Sequence, residues 1–161
     1  MRRSVLCGSL VAAFAAGLLA ARVAPPAEAQ PSVPAAAQPA PPALTPQIIN
    51  LLALSEEEIG PLVNNTDLRS RTLVATEQGT VAVQSGNVLK HFHADANEIQ
   101  LVLDGAGSFW LGEREVQVRA GDLIIIPRGT VHAGSRASTG RFRALAIKLP
   151  PQRANDTHPV P

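Results

Sequence analysis

Cysteine is almost missing from this chain. The single one, Cys7, falls within the first ten residues, so a protein that loses its start can form no disulfide. A domain of this size buries a sufficient core without one, even in a compartment that permits such bonds. Tyrosine is absent and tryptophan occurs once. Neither sign of charge dominates, with 14 Lys and Arg against 13 Asp and Glu. No basic stripe is present, which makes nucleic acid and anionic membrane poor partners. A small-molecule ligand or a protein neighbour is expected instead. Histidine is scarce too: of four in the chain, three fall in two short segments, and the last, His158, lies in a Pro-rich tail.

Residues 1–29 read as an export signal. Arg2 and Arg3 form a basic start, Val5 to Ala21 is an apolar run rich in Ala and Leu, and Ala27-Glu28-Ala29 is a small-x-small cleavage site before Gln30. The run falls short of the ~18–20 strongly apolar residues that a membrane span requires. Cleavage near Ala29 would give a periplasmic or secreted protein with no stable membrane insertion. It would also remove Arg2, Arg3, Arg22 and Glu28, leaving 11 basic and 12 acidic side chains and a net charge of −1. Arg2-Arg3-Ser4-Val5-Leu6 loosely resembles a twin-arginine signal. It lacks the usual residue before the pair and the trailing lysine, so a plain Sec signal is the expectation.

Composition shifts divide the remainder. Residues 30–44 are mostly Ala, Pro, Gln and Ser, a leader unable to bury enough side chain to fold. Residues 45–68 form a helical or irregular extension. Thr45-Pro46 looks like a helix start, Ile48, Ile49, Leu51, Leu52 and Leu54 supply an apolar face, and Ser55-Glu56-Glu57-Glu58 fits a capping box. From 69 to 149 the pattern becomes short runs of Val, Ile, Leu and Thr. Strands are predicted at 72–77, 80–84, 88–93, 98–103, 107–111, 115–119, 122–126, 131–135 and 141–149. Gln78-Gly79, Ser85-Gly86, Asp104-Gly105-Ala106-Gly107, Gly112-Glu113, Ala120-Gly121 and Arg128-Gly129 punctuate them. Many short strands with regular breaks predict an all-β sandwich or barrel. The tail, 150–161, is polar and Pro-rich and is expected to fray.

The chemistry concentrates in this β region. His91 and His93 lie two apart on a strand and so share a face, with Phe92 opposite. A four-residue turn then leads to Glu98. His132 follows the rigid turn Pro127-Arg128-Gly129, which can return the chain to the same face. Three imidazoles and one carboxylate suit one divalent transition metal, Fe, Mn, Ni, Co, Cu or Zn, rather than Mg or Ca. Around a six-coordinate ion, two positions would stay free for water, dioxygen or a bidentate substrate.

Two segments carry a family resemblance. His91-Phe92-His93, four residues, Glu98 and six residues to Gly105 match the first motif of the cupin superfamily. Gly121, five residues, Pro127-Arg128-Gly129, two residues and His132 match the second. Gly86 stands one residue closer to His91 than the first pattern has it, and Arg136 replaces the final asparagine of the second, which is not a ligand there. The sequence therefore resembles the small single-domain bacterial cupins. The resemblance implies a cupin-type jelly-roll barrel, or double-stranded β-helix, carrying a short N-terminal helical segment. It implies one metal held by His91, His93, Glu98 and His132, and a homodimer.

Around these ligands, alternation places Gln100 on the same face as Glu98, a candidate substrate contact. Phe109 and Trp110 are adjacent, so one faces inward as core. Gly105, Gly121 and Gly129 are expected to be turn residues. Arg128, Arg136, Arg141 and Arg143 are candidates for meeting an anionic substrate, with solvent exposure the simpler expectation. The functional expectation is an exported metalloenzyme with dioxygenase-, isomerase- or decarboxylase-like chemistry on a small oxygen-bearing molecule, in which Glu98 can detach to take a proton. The competing expectation is a non-catalytic binding or sensing module with a structural metal. No second acid–base group is evident, because neither histidine nor tyrosine remains in the barrel beyond the ligands. That absence favours metal-centred redox chemistry or pure binding over acid–base chemistry.

Overall fold

The structure is a computed structural model that describes residues 43–161 apart from Asn65. The expected signal and most of the leader lie outside the described residues. The architecture is all-β: a short helix α1 (Glu56–Ile59) precedes eight strands. These are β1 (Arg69–Ala75), β2 (Thr80–Ser85), β3 (His91–Phe92), β4 (Asn97–Leu111), β5 (Arg114–Arg119), β6 (Leu123–Ile126), β7 (His132–Leu149) and β8 (His158–Pro159).

Two long strands organise the sheet. The first half of β4, Asn97 to Asp104, pairs with β6 on one side and with Arg143 to Leu149 of β7 on the other. Its second half, Ala106 to Leu111, pairs with β5 and with His132 to Thr139 of β7. β2 continues the first set beyond β7, and β1 follows β2. β3 and then β8 continue the second set beyond His132. The sheet thus curls on itself as a jelly roll, with β4 and β7 running from one wall into the other.

The sequence motif Asp104-Gly105-Ala106-Gly107 predicts a turn between two strands. The structure instead has a bend within one. Register with β7 shifts on either side of Asp104 and again at Ala106/Gly107, the signature of bulges that redirect a strand without reversing it. Gly105 adopts a φ of 82°. A Cβ on Gly107 would stand 2.1 Å from the Arg136 carbonyl oxygen, so only glycine lets the walls approach there. The same merging joins 131–135 and 141–149 into β7. Conversely, the predicted strand 88–93 shrinks to His91–Phe92.

The bend also reverses the inward phase of β4. Glu98, Gln100 and Val102 are buried before it, Gly107 and Phe109 after it. Phe109 joins Val102, Val118, Ile124, Ile126, Ala133 and Phe142 in the apolar core. Trp110 faces outward, and the Lys90 ammonium lies 4.5 Å from its ring centroid.

Outside the barrel, the helix expected from Thr45 to Leu54 does not form. Residues 43–50 have no regular structure and Leu51–Ala53 make a turn. Ile48 is fully exposed, so the apolar face finds nothing to cover, and so short a helix is marginal without packing. Asn50 accepts the Leu52 N–H, and Arg143 takes the carbonyls of Leu51 and Leu52, which diverts the backbone groups a helix would use. The capping box does form: Ser55 accepts from the Glu58 amide and Glu58 accepts from the Ser55 amide. The tail does not fray. β8 pairs with β3, and His158 stacks on Phe92 with ring centroids 4.8 Å apart.

Candidate metal centre

His91, His93, Glu98 and His132 meet at one end of the barrel interior, their candidate ligand atoms all within 4.8 Å of one another. Each arrives by a different local device. His91 and His132 are direct cross-strand partners of β3 and β7. His93 is fixed from behind, since the Gly129 amide of the Pro127-Arg128-Gly129 turn donates to its carbonyl at 2.6 Å. That bond ties the two motif segments together. Glu98, the second residue of β4, lies between its cross-strand partners Ile126 and Lys148. All four residues are buried, His132 completely.

The hydrogen bonds of the three rings define what the cluster can hold. His91 Nδ1 donates to the Leu89 carbonyl at 2.7 Å and His132 Nδ1 to the Thr130 carbonyl at 2.9 Å. His93 Nδ1 makes a short bond to the Asp156 carbonyl. With Nδ1 protonated for these bonds, each neutral ring turns an unprotonated Nε2 inward. Those lone pairs face one another and the carboxylate: His91 Nε2 is 3.3 Å from His93 Nε2, while Glu98 Oε2 is 3.0 Å from His93 Nε2 and 3.2 Å from His132 Nε2. Acceptors this close repel unless a proton or a cation lies among them. The donor set and its backbone supports therefore fit a divalent transition metal, whose ligating histidines are oriented by bonds from their outer nitrogens.

Electrostatics point the same way. Burial, followed by the neighbouring His132, pushes His91 down to about 4, so its ring is neutral near pH 7. Burial alone would raise the Glu98 carboxyl. A proton shared with Oε2 from Nε2 of His132 or His93, the Lys148 charge and the Gln100 amide outweigh that and hold it well below the usual carboxylate range. Gln100 faces the interior and donates from Nε2 to Glu98 Oε1 at 2.7 Å, fixing the oxygen that the rings do not touch.

Two groups escaped the sequence reading. Lys148, on the inner face of β7 after Ala144 and Ala146, places Nζ 3.8 Å from Glu98 Oε2 with its side chain only 11% exposed. Burial lowers its pKa, against the opposing pull of Glu98 and Asp156. Alternation along 141–149 carried this signal, because it sets Lys148 apart from the outward-facing Ile147 and Leu149. Asp156 is the second. Its carboxylate, 3% exposed, accepts the amides of Ala94, Asp95 and Ala96 at 2.7–3.1 Å, the turn that joins His93 to Glu98. Burial raises this carboxyl, but those three amides and His93 bring it below its ordinary value.

The arginine candidates are not in the cluster. Arg141 and Arg143 bind Glu56, and Arg141 also binds Asp67. Arg128 and Arg136 are exposed.

Known proteins share this architecture. Residues 79–148 match the family model of the cupin domain. Over 60 residues the chain is 50% identical to acireductone dioxygenase of Drosophila pseudoobscura pseudoobscura, covering 34% of this chain and 32% of that protein. Over 69 residues it is 32% identical to an uncharacterised protein of Methanocaldococcus jannaschii, covering 43% and 55%. The chain thus spans about a third and about half of the length of these curated relatives. A Klebsiella pneumoniae protein with a double-stranded β-helix domain superposes with a TM-score of 0.54 at 18% identity, covering 66% of this chain and 96% of that one. A Streptomyces nucleoside dehydratase with uridine gives 0.51 at 21%, covering 62% and 82%. At such identities these structures speak for the fold. The matched model, with the curled two-walled sheet and the paired motifs, makes residues 79–148 a cupin domain.

Proposed function

We propose that this chain is an exported metal-dependent cupin acting on a small oxygen-bearing molecule, with dioxygenase-like chemistry the leading form. The carrying observation is the convergence of three Nε2 lone pairs and one carboxylate oxygen, each ring locked from behind by a backbone carbonyl. A divalent ion held by His91, His93, Glu98 and His132 would supply Lewis acidity and open positions for substrate or dioxygen. The chain's own groups do the rest. Glu98, kept ionised and anchored at Oε1 by Gln100, would accept a proton at Oε2 once that oxygen has detached from the ion. Gln100 acts through Glu98, which it orients, and otherwise lines a small cavity behind the cluster. Burial of the rings keeps competing water away from the cluster. Similarity to a dioxygenase over part of its length supports the redox form over isomerase- or decarboxylase-like chemistry.

The test is metal analysis of the natively purified protein, then oxygen-electrode assays of anaerobically reconstituted protein against phenolic, thiol and keto-acid compounds. Metal uptake with oxygen consumption supports the reading. Tight ligand binding without turnover would instead establish a binding or sensing module.

Export and self-association belong to the same proposal. Mass spectrometry of the mature chain should find its start at Gln30. Among the described residues β6 pairs on one side only, and it exposes Leu123 and Ile125, which supports a homodimer. Sedimentation of the wild type and of Leu123→Asp is the check, with dimer lost in the variant.

A further inference from the structure

The apolar half of the barrel leaves a ligand little room. Behind the cluster, Val102, Phe109, Val118, Ile124 and Phe142 close around a cavity of about 30 Å³, space for roughly one water. The roomier approach lies on the other side. A cleft of about 260 Å³ runs along the inner face of β1, β2 and β7 beneath the tail, lined among others by Ser70, Thr72, Thr80, Gln84, Lys148 and Gln152. Lys148 connects it to the cluster through Glu98.

The ammonium of Lys148 is incompletely satisfied. One of its three donors goes to Gln152 Oε1. The 3.8 Å separation from Glu98 is an ion-pair distance, too long for a hydrogen bond. Among the described residues its other two donors make no hydrogen bond, and the cleft that Lys148 lines leaves them open to an anionic group.

We infer that the cleft takes a small organic acid, its carboxylate on Lys148 and an adjacent hydroxyl or carbonyl oxygen toward the metal centre. The hydroxyls of Ser70, Thr72 and Thr80 and the amides of Gln84 and Gln152 suit a hydroxylated chain. This inference rests on the metal reading above and names the ligand class of that site.

The probe pair is lactate and propane-1,2-diol, which differ by the carboxylate. Each is titrated into the cobalt-loaded full chain while the visible spectrum of the ion is followed. Lactate should perturb the spectrum at concentrations at least about 10-fold below those the diol needs. Lys148→Met should weaken lactate by about 10- to 100-fold, the loss expected for a charge-assisted contact, with cobalt content unchanged. Lys148→Gln provides the same comparison if the methionine variant does not fold. Equal response to acid and diol, or variants that bind lactate like the wild type, would overturn the inference alone. A wild type that takes up no cobalt would overturn the metal reading with it.

Discussion

Two carboxylates anchor the chain outside the barrel, and they do different work. Glu56 holds the N-terminal segment to the outer face of the β1–β2–β7 wall through Ser85, Arg69, Arg141 and Arg143. Its side chain is 30% exposed, and every partner is a side chain. Asp156 holds the C-terminal tail, is almost fully buried, and takes three backbone amides from the turn between two candidate ligands. The first anchor fastens a covering segment to a finished sheet. The second is part of how the site is built, because the turn's amides, that of buried Ala96 above all, lose their partner if it leaves.

The largest expected effect lies in the cluster itself. His132→Ala should abolish metal retention after dialysis, read by elemental analysis, while leaving the circular dichroism of the sheet unchanged. Next comes Asp156→Ala. Losing a support behind a ligand typically weakens metal binding by about 10- to 100-fold, and the same variant should speed hydrogen exchange at Ala94, Asp95 and Ala96. Unchanged metal affinity together with protected amides would remove the tail from the site and dissolve the contrast with Glu56.

The contrast also marks what could be read from residues alone. His91, His93, Glu98 and His132 were legible because period-two alternation and fixed spacings act over a few positions. The β class was legible for the same reason. Asp156 was not: its burial depends on β8 pairing with β3, a contact more than 60 residues away in sequence that nothing in a polar, Pro-rich tail announces. Lys148 lay between the two cases. Its inward phase follows from alternation, but its approach to Glu98 depends on the register of β7 against β4. The bend at Gly105 misled in the opposite direction, since Asp-Gly signals a positive φ and not whether the chain then reverses.

Glu56→Gln should lower stability by about 1 kcal/mol, or roughly 3–6 °C in Tm, with metal affinity unchanged, because partly exposed pairs are screened by solvent. Its pH dependence sharpens the point. Burial raises this carboxyl, but the hydrogen bonds from Ser85 and Arg143 and the Arg141 charge bring it below its ordinary 4.5. On acidification the unfolded chain therefore protonates first. The stabilisation is complete above pH 4.5 and disappears as the pH falls through the lower folded value. The gap in chemical-denaturation midpoint between wild type and Glu56→Gln should accordingly narrow below pH 4.5, and a gap that widened there would reverse the assignment.

The smallest effect tests whether burial, and not mere membership of the tail, sets the importance of Asp156. Arg153 lies three residues earlier and pairs with Asp95 of the same turn at 3.2 Å, but the two side chains are 78% and 50% exposed. An ion pair so open to water gains little and is screened by salt. Arg153→Ala should therefore change stability by less than about 0.5 kcal/mol and leave exchange at Ala94 to Ala96 as it was. Were this variant to open the turn as Asp156→Ala does, the tail would be acting through overall docking, and the buried carboxylate would lose its special standing.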